Sequence, residues 1–414
     1  MKRTDVTSID FTDPEIIGSR FPHPEFEAAR RAAPVLWCPQ ERGVAGFDDE
    51  GYWAVVRHAE ADFVARNPEL FSSYENSSVI RFDKKTTRDE IMLLRFLMSS
   101  MNGAEHTRLR SIVKRGFTPR ALKALEHFIQ TCAHRTVLRA AEKLRAEGRI
   151  DFVKDIADEL PLQVISELMD IPEADRPRIF ALTNAIIAPA DFATDQTDKP
   201  GPAATAELLT YASRLAEQRA REPGEDIVSG LVAAQLAGNL SPDEFGFFFV
   251  LLSIAGSETT RHAISGGMLA FLDHHEQWEL YMSQRPSTAA REVVRYSSPA
   301  IIAQRTATRD VELAGTAIRA GDRLGIFYAS ANFDDAVFEE PYRFDVLRDP
   351  NPHLGFGSGP HYCLGKKLAE MEVDAIFAEV ADLMPRLRLC SPPSRYRSGW
   401  MNGCKSMIVA RHTA

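Results

Sequence analysis

The segment from Ser241 to Leu272 constrains this chain more than any other. Ser241-Pro242-Asp243-Glu244 is a helix start, with an N-cap serine and proline at the first helical position. The helix it opens is expected to run to about Leu272, and Phe245 to Ile254 is apolar on nearly every side. A helix with no polar face has nothing to offer water, so it passes through the middle of a large core. A chain of 414 residues, 44% of them hydrophobic, has the material for such a core. The longest apolar run, Phe245 to Gly256, falls about one third short of a membrane span and yields at once to Glu258, Arg261 and His262. No membrane span is expected.

Around this helix the texture is mostly helical. From Glu105 to about Gln235 apolar residues recur at three- and four-residue spacing, broken only by the Pro-, Asp- and Thr-rich stretch Pro189 to Pro202, which reads as a surface turn. Gly51 to Val56 reads as a strand, and residues 74–100 as a long loop with some helix. After residue 300 alternation sets in: Thr306 to Leu313, then Gly315, Gly321 and Leu324 to Tyr328 suggest a small antiparallel sheet. The reading is mainly α with minor β. One domain over 1–414 is expected, with a helical part at roughly 90–297 and 364–385. A β-rich part is expected at roughly 45–75 and 300–330 plus the C-terminus.

The formal net charge of −9 argues against a nucleic-acid binder, which carries a basic excess. Met1 to Val6 runs into polar residues without an apolar stretch, so no secretory signal is expected and the location is read as cytoplasmic. The five cysteines, at 38, 132, 363, 390 and 404, are odd in number, widely spaced and without a Cys-x-x-Cys pair. That excludes a disulfide framework or zinc site and leaves four of them as packing residues.

One cysteine stands apart. Phe356-Gly357-Ser358-Gly359-Pro360-His361-Tyr362-Cys363-Leu364-Gly365 is a glycine-rich loop that runs into the helical Lys366-Lys367-Leu368-Ala369-Glu370. Glycines allow a tight turn that aims sulfur and backbone amides at one point, and the start of a helix favours thiolate over thiol. Such a loop suits a thiolate metal ligand. Three upstream segments also break local rules or pair groups. Glu292 and Arg295 share one helix face at a spacing of three. Ala255-Gly256-Ser257-Glu258-Thr259-Thr260 puts a glycine, an acid and two threonines inside the apolar helix, where each costs stability. His106 and Arg110, four apart, place two donors on one face.

The cysteine loop and these three segments, in this order, resemble the cytochrome P-450 superfamily of haem-thiolate monooxygenases, from about residue 45 to the end. The resemblance implies a large helical domain with a small antiparallel sheet, and haem b with Cys363 as axial iron ligand. Ala255, Gly256, Phe356, Gly357 and Gly365 are then expected against the cofactor, Gly256 leaving room above it for oxygen and substrate. His106, Arg110, Arg305 and His361 match the propionate ligands. Glu258 and Thr259 match the acid–alcohol pair that delivers protons during oxygen activation. Glu292 and Arg295 match a buried structural pair that Arg343 or Arg348 joins. The likeness is greatest to bacterial members that hydroxylate terminal or methyl-branched carbons of lipids and sterol side chains, on Asn67 to Tyr74, Arg110 to Val113 and Asn332-Phe333-Asp334. Asn102-Gly103-Ala104 and Phe333 depart from the commoner pattern.

The implied reaction inserts one atom of O2 into a C–H bond of a hydrophobic substrate (lipid, sterol side chain or terpenoid). No flavin or glycine-rich dinucleotide segment is present, so NAD(P)H acts only indirectly, through a ferredoxin and its reductase. Lys114, Arg115, Lys366 and Lys367 are candidates for the docking patch. The expected substrate lining includes Val250, Ile254, Ala255, Ile301, Ile302, Trp400 and Met401, and the protein is expected to be a monomer. Two other readings stay open: a tailoring hydroxylase of secondary-metabolite biosynthesis, and a haem-binding sensor, which has no need of Glu258 and Thr259.

Overall fold

Ser241 and Glu244 form a reciprocal cap. The Ser241 hydroxyl accepts from the Glu244 N–H at 3.1 Å, and the Glu244 carboxylate accepts from the Ser241 N–H at 2.8 Å. From that start the central helix runs unbroken over Pro242–Asp273 in the computed structural model, which describes residues 9–187 and 200–412. Helices at Glu159–Leu168, Pro200–Arg221, Ala289–Ser297 and Lys366–Leu383 pack around it. Phe245, Phe248, Phe249, Leu252, Ile264, Met268 and Phe271 are buried on all its sides. Each such side chain contributes roughly 1.5–3 kcal/mol of burial, which outweighs the helix's poorer residues. The next longest of the described helices, Pro119–Glu147, is capped by the Thr118 hydroxyl, closes at Gly148 with φ of 76° and packs on Lys366–Leu383.

The Pro189–Pro202 break falls on residues that lie mostly outside those described. Its last part is helical, because the following helix starts at Pro200 and takes Pro202 into its first turn, where the missing N–H costs nothing. The expected helical stretch from Glu105 to Gln235 is interrupted. Arg149–Asp151 forms a strand against Ile408–Arg411, and Val153–Ala157 a π-turn. A three-residue strand held by a partner so distant in sequence leaves no periodic trace.

The main sheet orders its strands Val35–Pro39, Gly51–Val55, Arg323–Ile326, Ala303–Ala307 and Phe71–Ser72. It is not wholly antiparallel, as the alternation suggested: Gly51–Val55 runs parallel to Arg323–Ile326, with Trp53 opposite Leu324 and Val55 opposite Ile326. Parallel partners need a crossover, and here the helices from His58–Arg66 to Ala289–Ser297 supply it, while Lys366–Leu383 follows the second strand. Val35–Pro39 also lies before the expected β-rich range. Among the described residues no helix is long and apolar enough to cross a membrane. Cys38, Cys132 and Cys404 are buried, whereas Cys390 is exposed at the end of a surface strand and is not the packing residue expected.

Candidate active site

The cysteine loop is built on backbone conformations that need glycine. Gly357 and Gly359 have φ of 67° and 65°. A Cβ at Gly359 would stand 2.4 Å from the Ala65 carbonyl oxygen, so the loop sits directly on the His58–Arg66 helix. The Gly357 N–H donates to Leu354 O at 2.8 Å and the Cys363 N–H to Phe356 O at 2.9 Å, closing the turn. The Arg110 guanidinium donates to the Tyr362 carbonyl and ties the loop to the Gly103–Val113 helix. Backbone amides of Gly365 and Lys366, at the start of the Lys366–Leu383 helix, point at the Cys363 sulfur. Gly365 itself, at φ of −83°, is not demanded by backbone strain.

Burial pushes the Cys363 thiol up, against the pull of those two amides and of Arg110 and Lys366. The helix start therefore acts as expected, but desolvation outweighs it in the protein alone. Cys363 nevertheless keeps accessible surface. The residue is thus desolvated by surrounding protein and still accessible.

Four nitrogen-bearing side chains gather beside the loop. The His106 and His361 rings lie 4.3 Å apart, and Arg110 and Arg305 both act on them electrostatically. Arg305, 2% exposed, donates to the Gln304 carbonyl at 2.7 Å and has no carboxylate partner among the described residues. Burial, then mutual repulsion, drives His361 down to about 2 and His106 to about 4. Burial likewise lowers Arg305. Donors and positive charge concentrated without an anion are the complement of a buried carboxylate-bearing ligand.

The central helix carries an accessible patch of its own. Ala255 is exposed although Leu252, Ser253, Ser257 and Glu258 around it are buried, and Thr259 is half-buried with its hydroxyl donating to Ala255 O at 3.0 Å. Gly256 does not serve as expected. A Cβ there would meet Ile165 Cγ1 at 2.3 Å, so the missing side chain lets the Glu159–Leu168 helix pack closely instead of opening space for oxygen. Glu258, 3% exposed, is paired with Arg261, and its Oε2 lies 3.6 Å from His262 Nε2. Burial raises the Glu258 carboxyl to about 7. Arg261 in turn reaches Asp158 at 3.3 Å and the Tyr396 hydroxyl at 2.8 Å. These four neighbours are absent from the residues expected at the site. Arg261 and His262 are signalled by their spacing of three and four from Glu258. Asp158 and Tyr396 have no local signal.

Glu292 and Arg295 are both fully buried, joined by two hydrogen bonds of 2.7 Å. Arg295 also donates to the carbonyls of Asn332 and Pro341 at 2.8 Å and of Arg343 at 3.2 Å, while Arg348 reaches Glu292 at 3.3 Å. Arg343 thus joins through its backbone and Arg348 through its side chain. Phe333 stacks on Tyr342 and lies under the Arg295 guanidinium.

The expected substrate lining divides. Ala255 is exposed, and Ile254 and Trp400 keep accessible surface. Ile302 is 6% exposed, Val250 4%, and Ile301 and Met401 are fully buried. Ile301 belongs to the cluster of Phe11, Phe26 and Phe327 behind the sheet, and Val250 to the main core. Apolar composition alone does not separate lining from core.

The model of the cytochrome P450 family matches residues 287–381, which hold Glu292, Arg295, Arg305 and the cysteine loop. Over 407 residues the chain is 45% identical to a steroid C26-monooxygenase of Rhodococcus jostii, covering 98% of this chain and 85% of that protein. The chain belongs to the cytochrome P450 family. A steroid C26-monooxygenase of Mycobacterium tuberculosis is 46% identical to this P450, covering 99% and 95% of the two chains. A methyl-branched lipid omega-hydroxylase of the same species is 38% identical, covering 93% and 90%. The solved structure of a Mycobacterium marinum cytochrome P450 in complex with pseudoionone superimposes with a TM-score of 0.87 at 33% identity, covering 97% and 98%.

As a P450 the chain is a monooxygenase that uses haem and O2, with reducing equivalents brought by redox partners. The residues present fit that cofactor on this structure's own terms. Cys363 is accessible although surrounded by protein, and a donor cluster that includes the buried Arg305 lacks an anion among the described residues.

Proposed function

We propose that this P450 hydroxylates the terminal methyl region of an extended apolar substrate, a sterol side chain in preference to a methyl-branched lipid. The observation that carries the reading is near-full-length identity of 45% and 46% to steroid C26-monooxygenases, against 38% to the lipid omega-hydroxylase. Bound haem supplies the activation of dioxygen. Cys363 would hold its iron, with the Gly365 and Lys366 amides steadying the sulfur. His106, Arg110, Arg305 and His361 would bind its propionates. Phe356, Gly357, Gly365 and Ala255 would border it. Ala255, Ile254 and Trp400 offer the apolar surface that orients the substrate and keeps water out. The Thr259 hydroxyl would pass a proton to the site of oxygen activation, and the Glu258 carboxyl would resupply it. Electrons would come from a ferredoxin with its reductase, and the enzyme would work as a cytoplasmic monomer.

The test starts with the reduced, CO-bound Soret band, expected at the thiolate position and lost in Cys363→Ser. Cholesterol and a methyl-branched fatty acid are then titrated for a high-spin shift and turned over with NADH, ferredoxin and reductase. Cholesterol is expected to bind and gain a terminal side-chain hydroxyl. Turnover of the fatty acid alone would overturn the sterol preference. A thiolate band with no product from either would overturn the substrate class.

A further inference from the structure

His262 is the feature that this reading leaves unused. It sits on the central helix one turn after Glu258, is fully buried, and neither ring nitrogen has a hydrogen-bond partner among the described residues. Polar atoms are rarely left so without a purpose. Gly403 makes room for the ring: a Cβ there would fall 2.0 Å from Nδ1, so this position admits no other residue while the imidazole stays in place. The ring is held neutral. Burial, then Arg261 and Arg395, lower its pKa well below the ordinary histidine value. A neutral imidazole carries one N–H. Nδ1 faces Gly403, where no acceptor stands, whereas Nε2 faces Glu258 Oε2 at 3.6 Å, a gap that a small side-chain rotation closes.

The rest of the surroundings is directional. On one side Glu258 meets Arg261, whose Nη1 lies 3.3 Å from Asp158 Oδ1; the Asp158 side chain is 33% exposed. From the C-terminal segment the Tyr396 ring lies 5.0 Å from the imidazole and its hydroxyl accepts from Arg261. Exposure falls from Asp158 through Arg261 at 8% to Glu258 at 3% and His262 at zero. The titratable and charged groups facing His262 are therefore Glu258, Arg261, Arg395, Tyr396 and, behind Arg261, Asp158.

We propose that His262 is a positioning residue for proton delivery: its Nε2–H is aimed at Glu258 Oε2 and, with Arg261, holds that carboxylate on the side of the central helix that leads through Asp158 to solvent. The inference rests on the acid–alcohol reading above. In the held orientation the carboxylate refills with a proton from outside. Released from it, the same group turns toward Thr259. His262 gives the held state a second donor, besides Arg261, that carries no charge.

The test compares His262→Leu with His262→Gln, whose amide N–H reaches nearly where Nε2 stands. Each is assayed with cholesterol, ferredoxin and reductase for product per NADH and for the pH profile of kcat. With Leu, product per NADH is expected to fall about threefold or more. The alkaline limb of kcat is expected to move up by about one pH unit, because the carboxylate has lost a donor. With Gln both are expected to stay within about twofold of the parent. An unmoved pH profile with Leu, or equal losses with Leu and Gln, would overturn the proposal. If the Leu variant yields no haem-bound protein, Asp158→Asn decides: unchanged coupling there overturns the route through Asp158. Glu258→Gln and Thr259→Ala keep the two readings apart. If neither uncouples NADH use from product, the acid–alcohol reading fails and this inference with it. If they uncouple and His262→Leu does not, only this inference fails.

Discussion

Glu258 carries a cost that varies with pH. Its carboxyl is raised by burial from the ordinary glutamate value to about 7, so between those two values the folded protein binds a proton that the unfolded chain does not. The favourable contribution is fully present below the unfolded pKa and is lost as pH rises through 7. Glu258→Gln removes that dependence. Relative to the parent, its stability is expected to improve by about 2–3 kcal/mol between pH 5 and pH 8, from the linkage of a shift of this size. Urea unfolding at the two pH values checks it, and parallel curves would sink it. At this scale the pairing of Glu292 with Arg295 was legible, because both lie within one turn; Arg261, equally near to Glu258, carried the same spacing signal but was not read as its partner. Arg305 and His361 were found only through likeness to a family, because nothing local marks them. Asp158 and Tyr396, brought to Arg261 from 103 and 135 positions away (261 − 158; 396 − 261), could not be read from one sequence.

At the scale of elements, Gly256 shows why a motif and its reason must be separated. The glycine was correctly singled out, but its Cβ position meets Ile165 on the neighbouring helix. Gly256→Ala is therefore expected to force the two helices apart and cost about 1–3 kcal/mol. Adding Ile165→Ala is expected to recover part of that loss. A double-mutant cycle with no coupling between the two sites would refute the packing assignment. The central helix was legible almost to the residue because its capping box and its length are both local facts. The strands were less so. Val35–Pro39 includes a proline and precedes the expected range, and the parallel pairing of Gly51–Val55 depends on a partner that no nearby alternation reveals.

Over the whole molecule, a net charge of −9 coexists with exposed Lys114, Arg115 and Lys367 beside the cysteine loop and the helix before it. Lys366 and Lys367 are partly held by Glu370, at 3.9 and 3.7 Å, which leaves Lys114 and Arg115 as the freer pair. If an acidic ferredoxin docks here, reversing those two charges should slow electron delivery about tenfold or more at low salt. The difference should shrink as ionic strength rises and the Debye length falls to about 8 Å. Stopped-flow reduction of the haem measures it, and a rate indifferent to both salt and charge reversal places docking elsewhere.

The parallel contact between Gly51–Val55 and Arg323–Ile326 also sets a timetable for synthesis. On the ribosome the early strand emerges with one flank bare, and its partner there is not translated until every helix from His58–Arg66 to Ala289–Ser297 has been made. An unmatched strand edge is a template for adhesion to other chains. A nascent chain stalled short of Arg323 should therefore recruit holdase chaperones or aggregate, and one extended past Ile326 should shed them.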